Sequence, residues 1–206
     1  MLPIRVFFKK KGKIKYISHL DLMRAVTRGL LRSELPIVYT EGFNPHPKLV
    51  FALPLSIYQE SEYEIFDIAV QDGISYETVE EKLKAAFPKG LEIFKVCSPV
   101  QKLKNLGFAR YRIELETTIS DAELDSKLSA ALPVLKKSKS KTEVVDIKPL
   151  IKEYKVLGNG VIEVLVVSMP QTILNPSYIV SALGEGIKDS NITRLCLYDT
   201  DGKVLE

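Results

Sequence analysis

Along this chain the hydrophobic pattern switches between period two and period 3.6, and the switches mark its elements. IRVFFK (4–9) reads as a strand, followed by a Lys/Gly turn and a short IKY strand (14–16). From Ser18 the period becomes helical. Ser18 fits an N-cap, Asp21 completes a variant capping box, and Pro36 stops the helix. Leu22, Met23, Val26, Leu30 and Leu31 recur at the spacing of one buried stripe. The strand LVFALPL (49–55), a strand YEIFDIAV (63–70), an Asp72-Gly73 turn, a helix over 76–87 and a strand LEIFKV (91–96) complete the first half.

The second half repeats this order. ARYRIELET (109–117) is a strand and 121–132 a helix. EVVDIK (143–148) is a strand, and EYKVLGNGVIEVLVVSM (153–169) a hairpin turning at Gly158-Asn159-Gly160. Asn175, as N-cap, and Pro176 open a last helix, and ITRLCLYD (192–199) is the closing strand. Without the IKY ribbon each half is β-α-β-β-α-β. The pattern therefore predicts an α+β protein of tandem duplicated ferredoxin-like (split βαβ) halves with antiparallel sheets. The halves are 1–98 and 108–206, with 99–107 as linker, and LKKSKSK (135–141) is a basic, serine-containing loop inside the second.

Composition narrows the function classes. At 206 residues, 46% hydrophobic and 27% charged, the chain is globular, and no apolar run approaches the roughly 20 residues that span a bilayer. Lysines stand where a signal peptide needs an apolar run. Two cysteines, Cys97 and Cys196, are too few for a disulfide framework or a cysteine-held cluster, which fits a reduced, cytoplasmic setting. The net charge of +3 is uneven. Residues 1–48 carry ten Lys/Arg against three acids, net +7, while the remainder carries 19 against 23, net −4. A basic end on an acidic body points to a polyanion or an acidic protein surface, with solubility as the plainer explanation.

The candidate chemistry gathers in that basic end. Arg24, Arg28 and Arg32 form an i, i+4, i+8 stripe about 6 Å apart, matched to phosphates or carboxylates, though Asp21 can pair Arg24 at i+3. Lys9, Lys10, Lys11, Lys13 and Lys15, near Phe7, Phe8 and Tyr16, suit nucleic acid, where charge binds phosphate and rings stack on bases, and Lys48 is a further candidate for phosphate or an acidic partner. His19, at the first helical position, is disfavoured as imidazolium by the helix dipole. In EGFNPHPK (41–48), Asn44 and His46 each precede a proline, so the loop is stiff, with Glu41 at its mouth and Gly42 permitting the turn. His19, His46 and a carboxylate could in principle hold zinc or iron, but no short ligand motif joins them and no metal is expected. P-loop, dinucleotide and G-x-S-x-G signatures are missing from the sequence.

These residues resemble a bacterial family of radical-SAM-linked proteins, also catalogued as a domain of unknown function. The resemblance lies in SHLDLMR (18–24), GFNPHPK (42–48) and FALPL (51–55), with a looser match at IKPLI (147–151) and Arg194. The family tends to have glycine shortly after its LPL element, where this chain has Ile57 and Tyr58. Such proteins are fused to, or encoded beside, a radical S-adenosylmethionine enzyme, often one with a corrinoid-binding domain. The resemblance implies an accessory, substrate-presenting role, with iron–sulfur cluster, S-adenosylmethionine and corrinoid all on the partner enzyme. The tandem order is also similar to that of CRISPR RNA-processing endonucleases, a fold analogy that makes RNA a reasonable ligand. In that reading Arg24, Arg28, Arg32, Lys48, Lys13, Lys15, Glu41 and Asn44 bind RNA or a partner, and His19, Asn44 and His46 line one recognition pocket. Two alternatives stand beside it: an RNA-processing enzyme with His19 and His46 as acid and base, and a pure protein–protein adaptor.

Overall fold

A computed structural model of the protein describes residues 1–137 and 142–206. The elements in order are β1 (Leu2–Lys10), α1 (His19–Arg32), β2 (Val50–Phe51), β3 (Gln59–Val70), α2 (Tyr76–Ala86) and β4 (Leu91–Cys97). There follow β5 (Leu106–Thr117), α3 (Asp121–Ser129), β6 (Pro133–Lys137), β7 (Thr142–Asp146), β8 (Ile151–Gly158), β9 (Val161–Met169), β10 (Thr172–Ile173), α4 (Ser177–Leu183) and β11 (Ile187–Asp199). Among the described residues this is an α+β fold of four α-helices on a mostly antiparallel nine-stranded sheet. The strand order is β10-β9-β5-β11-β3-β1-β4, with β2 also on β3 and β8 also on β9.

Local chemistry sets most boundaries. Ser18, Ser75 and Ser120 cap α1, α2 and α3, each hydroxyl accepting from the amide three residues on. The β8–β9 hairpin turns through Asn159 and Gly160, both at positive φ, as a two-residue turn between twisted strands requires. The Asp121 carboxylate accepts from both their amides, which ties the start of α3 to that turn. Gly29 lies inside α1 because a Cβ there would come within 2.7 Å of the Phe87 ring.

Two apolar layers follow from the strand pattern. Ile4, Val6 and Phe8 of β1 and Phe66, Ile68 and Val70 of β3 pack beneath Leu22, Val26 and Leu30 of α1 and Val79 and Leu83 of α2. In the second half Tyr111, Ile113 and Leu115 of β5 and Ile162, Val164 and Val166 of β9 meet Leu124, Leu128, Ile179 and Leu183. Alternation is clean on β5, whose Arg112 turns outward to pair with Glu163 at 2.8 Å. On β1 it is lost because both faces are covered. Phe7 packs edge-on to Tyr63 at 5.4 Å, and Arg5 holds Asp67 and the carbonyl of Glu206.

One seam joins the two layers. Residues 192–194 of β11 run parallel to residues 59–61 of β3, while every other pairing of named strands is antiparallel. Here Arg194, 1% exposed, uses all five of its N–H donors. They reach Glu64 Oε1 at 2.7 Å, the Tyr111 hydroxyl at 3.1 and 3.0 Å, and the carbonyls of Leu53 and Pro54 at 3.0 and 3.1 Å. Glu64 lies on the α1 side of β3 and Tyr111 on the α4 side of β5, so the shared guanidinium places the helices of both halves on one side of the sheet. Lys10, also 1% exposed, lies nearby with its ammonium on the Gln59 carbonyl at 3.4 Å. Burial pushes its pKa down and the adjoining Arg194 adds to that, against the pull of Glu64.

Several expectations are corrected. IKY is part of a 3₁₀ turn, Gly12–Tyr16, because Gly12 at φ 66° redirects the chain out of β1. Of LVFALPL only Val50–Phe51 is strand, since β11 takes the edge of β3 farther along and Arg194 takes the next carbonyls. Met23 and Leu31 leave the buried stripe and are exposed, because Leu22, Val26 and Leu30 fill the sheet-facing side. The third helix ends at Ser129, where Leu132 N turns to the Asp146 carboxylate and β6 begins. EVVDIK contributes β7 to a separate hairpin with β6, and residues 138–141 of the expected basic loop lie outside the described residues. Pro176 rather than Asn175 is the cap of α4, while the Asn175 side chain accepts from Ser177 N.

Removing one partner of a buried ion pair leaves a charge that no water can reach. Glu64→Gln is expected to cost about 3–5 kcal/mol in urea unfolding, and the double change Glu64→Leu with Arg194→Met to cost less. A single variant within 1 kcal/mol of wild type, on the scale of an exposed pair, would refute this role for the seam.

Candidate functional site

At the seam the surface opens into a cleft of about 500 Å³. Its walls are the start of α1 (Ser18, His19), residues 54–58, and the start of α4 (Asn175, Ser177). A polar chain fixes these walls. Gln59 Nε2 donates to Asn175 Oδ1 at 2.9 Å and to Ser177 Oγ at 3.2 Å, and Asn175 Nδ2 donates to Ser56 Oγ at 3.0 Å. Arg194 holds residues 53–54 from behind. The cleft is thus built from both halves of the sequence.

Tyr58 stands at its mouth in the left-handed region, φ 69°, where L side chains are uncommon. Such a conformation costs about 1–3 kcal/mol and persists only where the surroundings over-determine it. Here Tyr58 N donates to the Lys15 carbonyl at 2.8 Å. The rings of Tyr58 and Tyr16 meet edge to face at 5.9 Å and stay 68% and 59% exposed. The Lys15 ammonium stands 5.5 Å from the Tyr16 ring. A glycine at this position would adopt this φ without strain.

His19 packs its ring edge-on to Phe51 at 5.3 Å, and its Nδ1 is buried without a hydrogen-bond partner among the described residues. Desolvation lowers its pKa, and the buried cations of Lys10 and Arg194 lower it further. A neutral imidazole able to accept or donate therefore lines the cleft at neutral pH.

His46 lies elsewhere. Its Nδ1 is 3.1 Å from Thr40 Oγ1 and 3.2 Å from the Asn44 carbonyl, and its amide donates to Thr40 Oγ1. Backbone bonds from Thr40 N to the His46 carbonyl and from Lys48 N to the Val38 carbonyl brace the loop as its prolines suggest. With Met23, Thr27, Pro47, Leu49 and Phe51 it lines a separate apolar pocket of about 210 Å³. The two histidines thus do not share the single pocket expected of them. Phe51 packs against the His19 ring and also lines the His46 pocket, and the side chains of Asn44 and Glu41 are exposed on the loop.

The arginine stripe is partly committed. Arg24 pairs with Asp21 at 3.0 Å, and Arg32 donates to the Ala86 carbonyl at the end of α2. Lys9 and Lys11 share Glu62. Among the described residues Lys13, Lys15, Arg28 and Lys48 form no ion pair, and no cluster of three His, Cys, Asp or Glu could hold a metal. Lys10, expected in the basic cluster, is buried together with Phe7 and Phe8, and Glu64 and Tyr111 were not foreseen. The signal was present: 4, 6, 8, 10 and 64, 66, 68, 70 each place a charge in register with buried apolar residues.

A family model described as an uncharacterized protein conserved in bacteria (DUF2344) matches residues 3–176. None of the curated proteins compared matches the chain. Among solved structures the chain is similar to the crystal structure of a Cbf5-Nop10-Gar1 complex, at 10% identity and a TM-score of 0.42. The match covers 92% of this chain and 47% of that one, so the chain spans about half its length. At that identity the likeness says nothing about activity. No helix among the described residues is long and apolar enough to cross a membrane.

The lowered pKa of His19 has a sign in stability. Above about pH 6.5 the imidazole is neutral folded or unfolded, and the linkage is silent. Below it the unfolded chain binds the proton first, so stability falls until the folded pKa is reached and then levels off. Between about pH 7 and pH 5 the denaturation midpoint is expected to drop further in wild type than in His19→Gln. Equal drops would show that His19 is not held neutral.

Proposed function

The chain belongs to the DUF2344 family of uncharacterized bacterial proteins, and we propose that it is an RNA-binding accessory protein that presents its ligand to a radical S-adenosylmethionine enzyme. The observation that carries the RNA half is the Tyr16–Tyr58 pair. Two exposed rings, one on a strained backbone, adjoin a turn that carries Lys13 and Lys15, neither in an ion pair, and Tyr58 lines a cleft whose polar groups come from Ser18, Ser56, Asn175 and Ser177. Base–aromatic stacking contributes about 1–3 kcal/mol per base, and neighbouring lysines bind phosphate. The enzyme half is supported by the resemblance in residues 18–24, 42–48 and 51–55. In this reading the chain is cytoplasmic, and cluster, S-adenosylmethionine and corrinoid belong to the partner.

The strand orders support a finer architectural reading too. Residues 1–98 run β4-β1-β3-β2, and residues 108–206 run β11-β5-β9-β8 with β6–β7 inserted. Both orders fit a ferredoxin-like half, joined through 99–107. The acid–base enzyme is not carried forward, because His19 and His46 line different cavities.

A labelled oligouridine is expected to bind the purified protein with an affinity that falls steeply between about 50 and 200 mM salt. Tyr16→Ala with Tyr58→Ala should weaken it about tenfold or more, and Lys13→Glu with Lys15→Glu should flatten the salt dependence. Binding that is absent at low salt, or indifferent to the tyrosines, would dismiss the RNA reading. Failure of a co-expressed radical enzyme from the same genome to co-purify would dismiss the presenting role.

A further inference from the structure

The cleft leaves a second group of exposed side chains unexplained. On α1, Leu20, Met23, Thr27 and Leu31 fall on one stripe that flanks the buried Leu22, Val26 and Leu30, about a quarter turn round the helix, with Thr27 half-buried. Leu20 and Leu31 are 52% and 58% exposed, an unusual outlay of large apolar surface on one short helix. Beside the stripe stands the braced loop 39–48, with Phe43 wholly exposed near its tip and Val50 exposed just beyond it. The apolar pocket floored by Leu49 and Phe51 opens between stripe and loop.

Three properties specify what fits. At about 210 Å³ the pocket is smaller than the roughly 300–1,000 Å³ of small-molecule sites, and suits a single bulky side chain. Its lining is apolar apart from Thr27 and His46, which leaves little for the polar edge of a base. The charge at its rim is positive and unspent: exposed Arg28 lies about a quarter turn round α1 from Thr27, exposed Lys48 follows Pro47, and neither has an acidic partner among the described residues, while Asp21 is taken up by Ser18 and Arg24. The stripe from Leu20 to Leu31 extends about 16 Å, three turns, the length over which a second helix can set anchors at i, i+3 and i+7. The loop's internal bonds fix its shape before anything docks, which lowers the entropic cost of binding.

We propose that this groove is the docking site for an acidic amphipathic helix of another protein, with one apolar side chain against Phe51 and carboxylates on Arg28 and Lys48. The site is distinct from the tyrosine-flanked cleft and does not depend on RNA binding there. Phe51 links them, since it floors the groove and carries the ring of His19.

The test uses the full chain and a displayed library of helical peptides of about four turns, apolar on one face and glutamate-rich on the other, beside a matched lysine-rich library. Acidic helices are expected to be selected, and their binding to lose about tenfold or more with Thr27→Arg, which places a charge in the pocket while leaving the dichroism spectrum unchanged. Arg28→Glu with Lys48→Glu should lose the acidic helices and gain the lysine-rich ones. Hydrogen exchange should slow at residues 20–31 and 46–51 on binding. Selection of neither library, or of both alike, overturns the proposal. So does loss of oligouridine binding in Thr27→Arg, which would assign the groove to RNA. The Tyr16 and Tyr58 changes should leave peptide binding intact, so the two readings fail separately.

Discussion

Five hydrogen bonds from one buried guanidinium hold this molecule's two layers in register. Arg194 belongs to β11, yet its partners are a carboxylate on β3, a hydroxyl on β5 and two carbonyls just past β2. The parallel contact between β11 and β3 spans three residues, too few for backbone pairing alone to fix the two halves of the sheet against each other. A charge that cannot leave its acceptors without losing both solvation and pairing supplies the missing specificity. Glu64 feels the same constraint from the other side. Burial drives its carboxyl pKa up, and Arg194 opposes the shift by favouring the ionised form.

The cleft is a by-product of that junction. Because Arg194 draws in residues 53–54, the following segment must reverse sharply to enter β3, and Tyr58 takes up the reversal in a left-handed conformation. Its ring is thereby directed at Tyr16 rather than into the core. Burial keeps the His19 imidazole neutral, and the same cations that secure the seam add to that. Structure and candidate chemistry thus share one electrostatic source, and a change to it would alter both together.

Much of this was legible in the sequence where the signal was local. The Ser18 cap, the Gly158-Asn159-Gly160 turn and the 3.6-residue period located α1, the hairpin and the other helices, because short-range sterics and hydrogen bonds decide them. Arg24 with Asp21 was likewise open to view as an i, i+3 pair. What stayed hidden was long-range. Periodicity cannot say that β2 stops after two residues, since the competitor for its edge arrives from residues 192–194. Nor can it separate the two histidines, because Phe51, which packs against one and lines the pocket of the other, is an ordinary apolar residue in the sequence. Lys10 and Glu64 sat in plain apolar register, and only a partner about 130 residues later from Glu64 makes their burial tolerable.

That separation has a consequence in time. At about 5–20 residues per second, a ribosome delivers Arg194 on the order of 10 s after Glu64. Until then the first half has strands β1, β3 and β4 available, but residues 59–61 of β3 lack their β11 partner and Glu64 faces Lys10 and Ser61 without its guanidinium. An open strand edge beside an unsatisfied carboxylate is the state in which a nascent chain associates wrongly. The late arginine therefore closes a window as well as a seam: this edge of β3 stays open to wrong partners until β11 emerges.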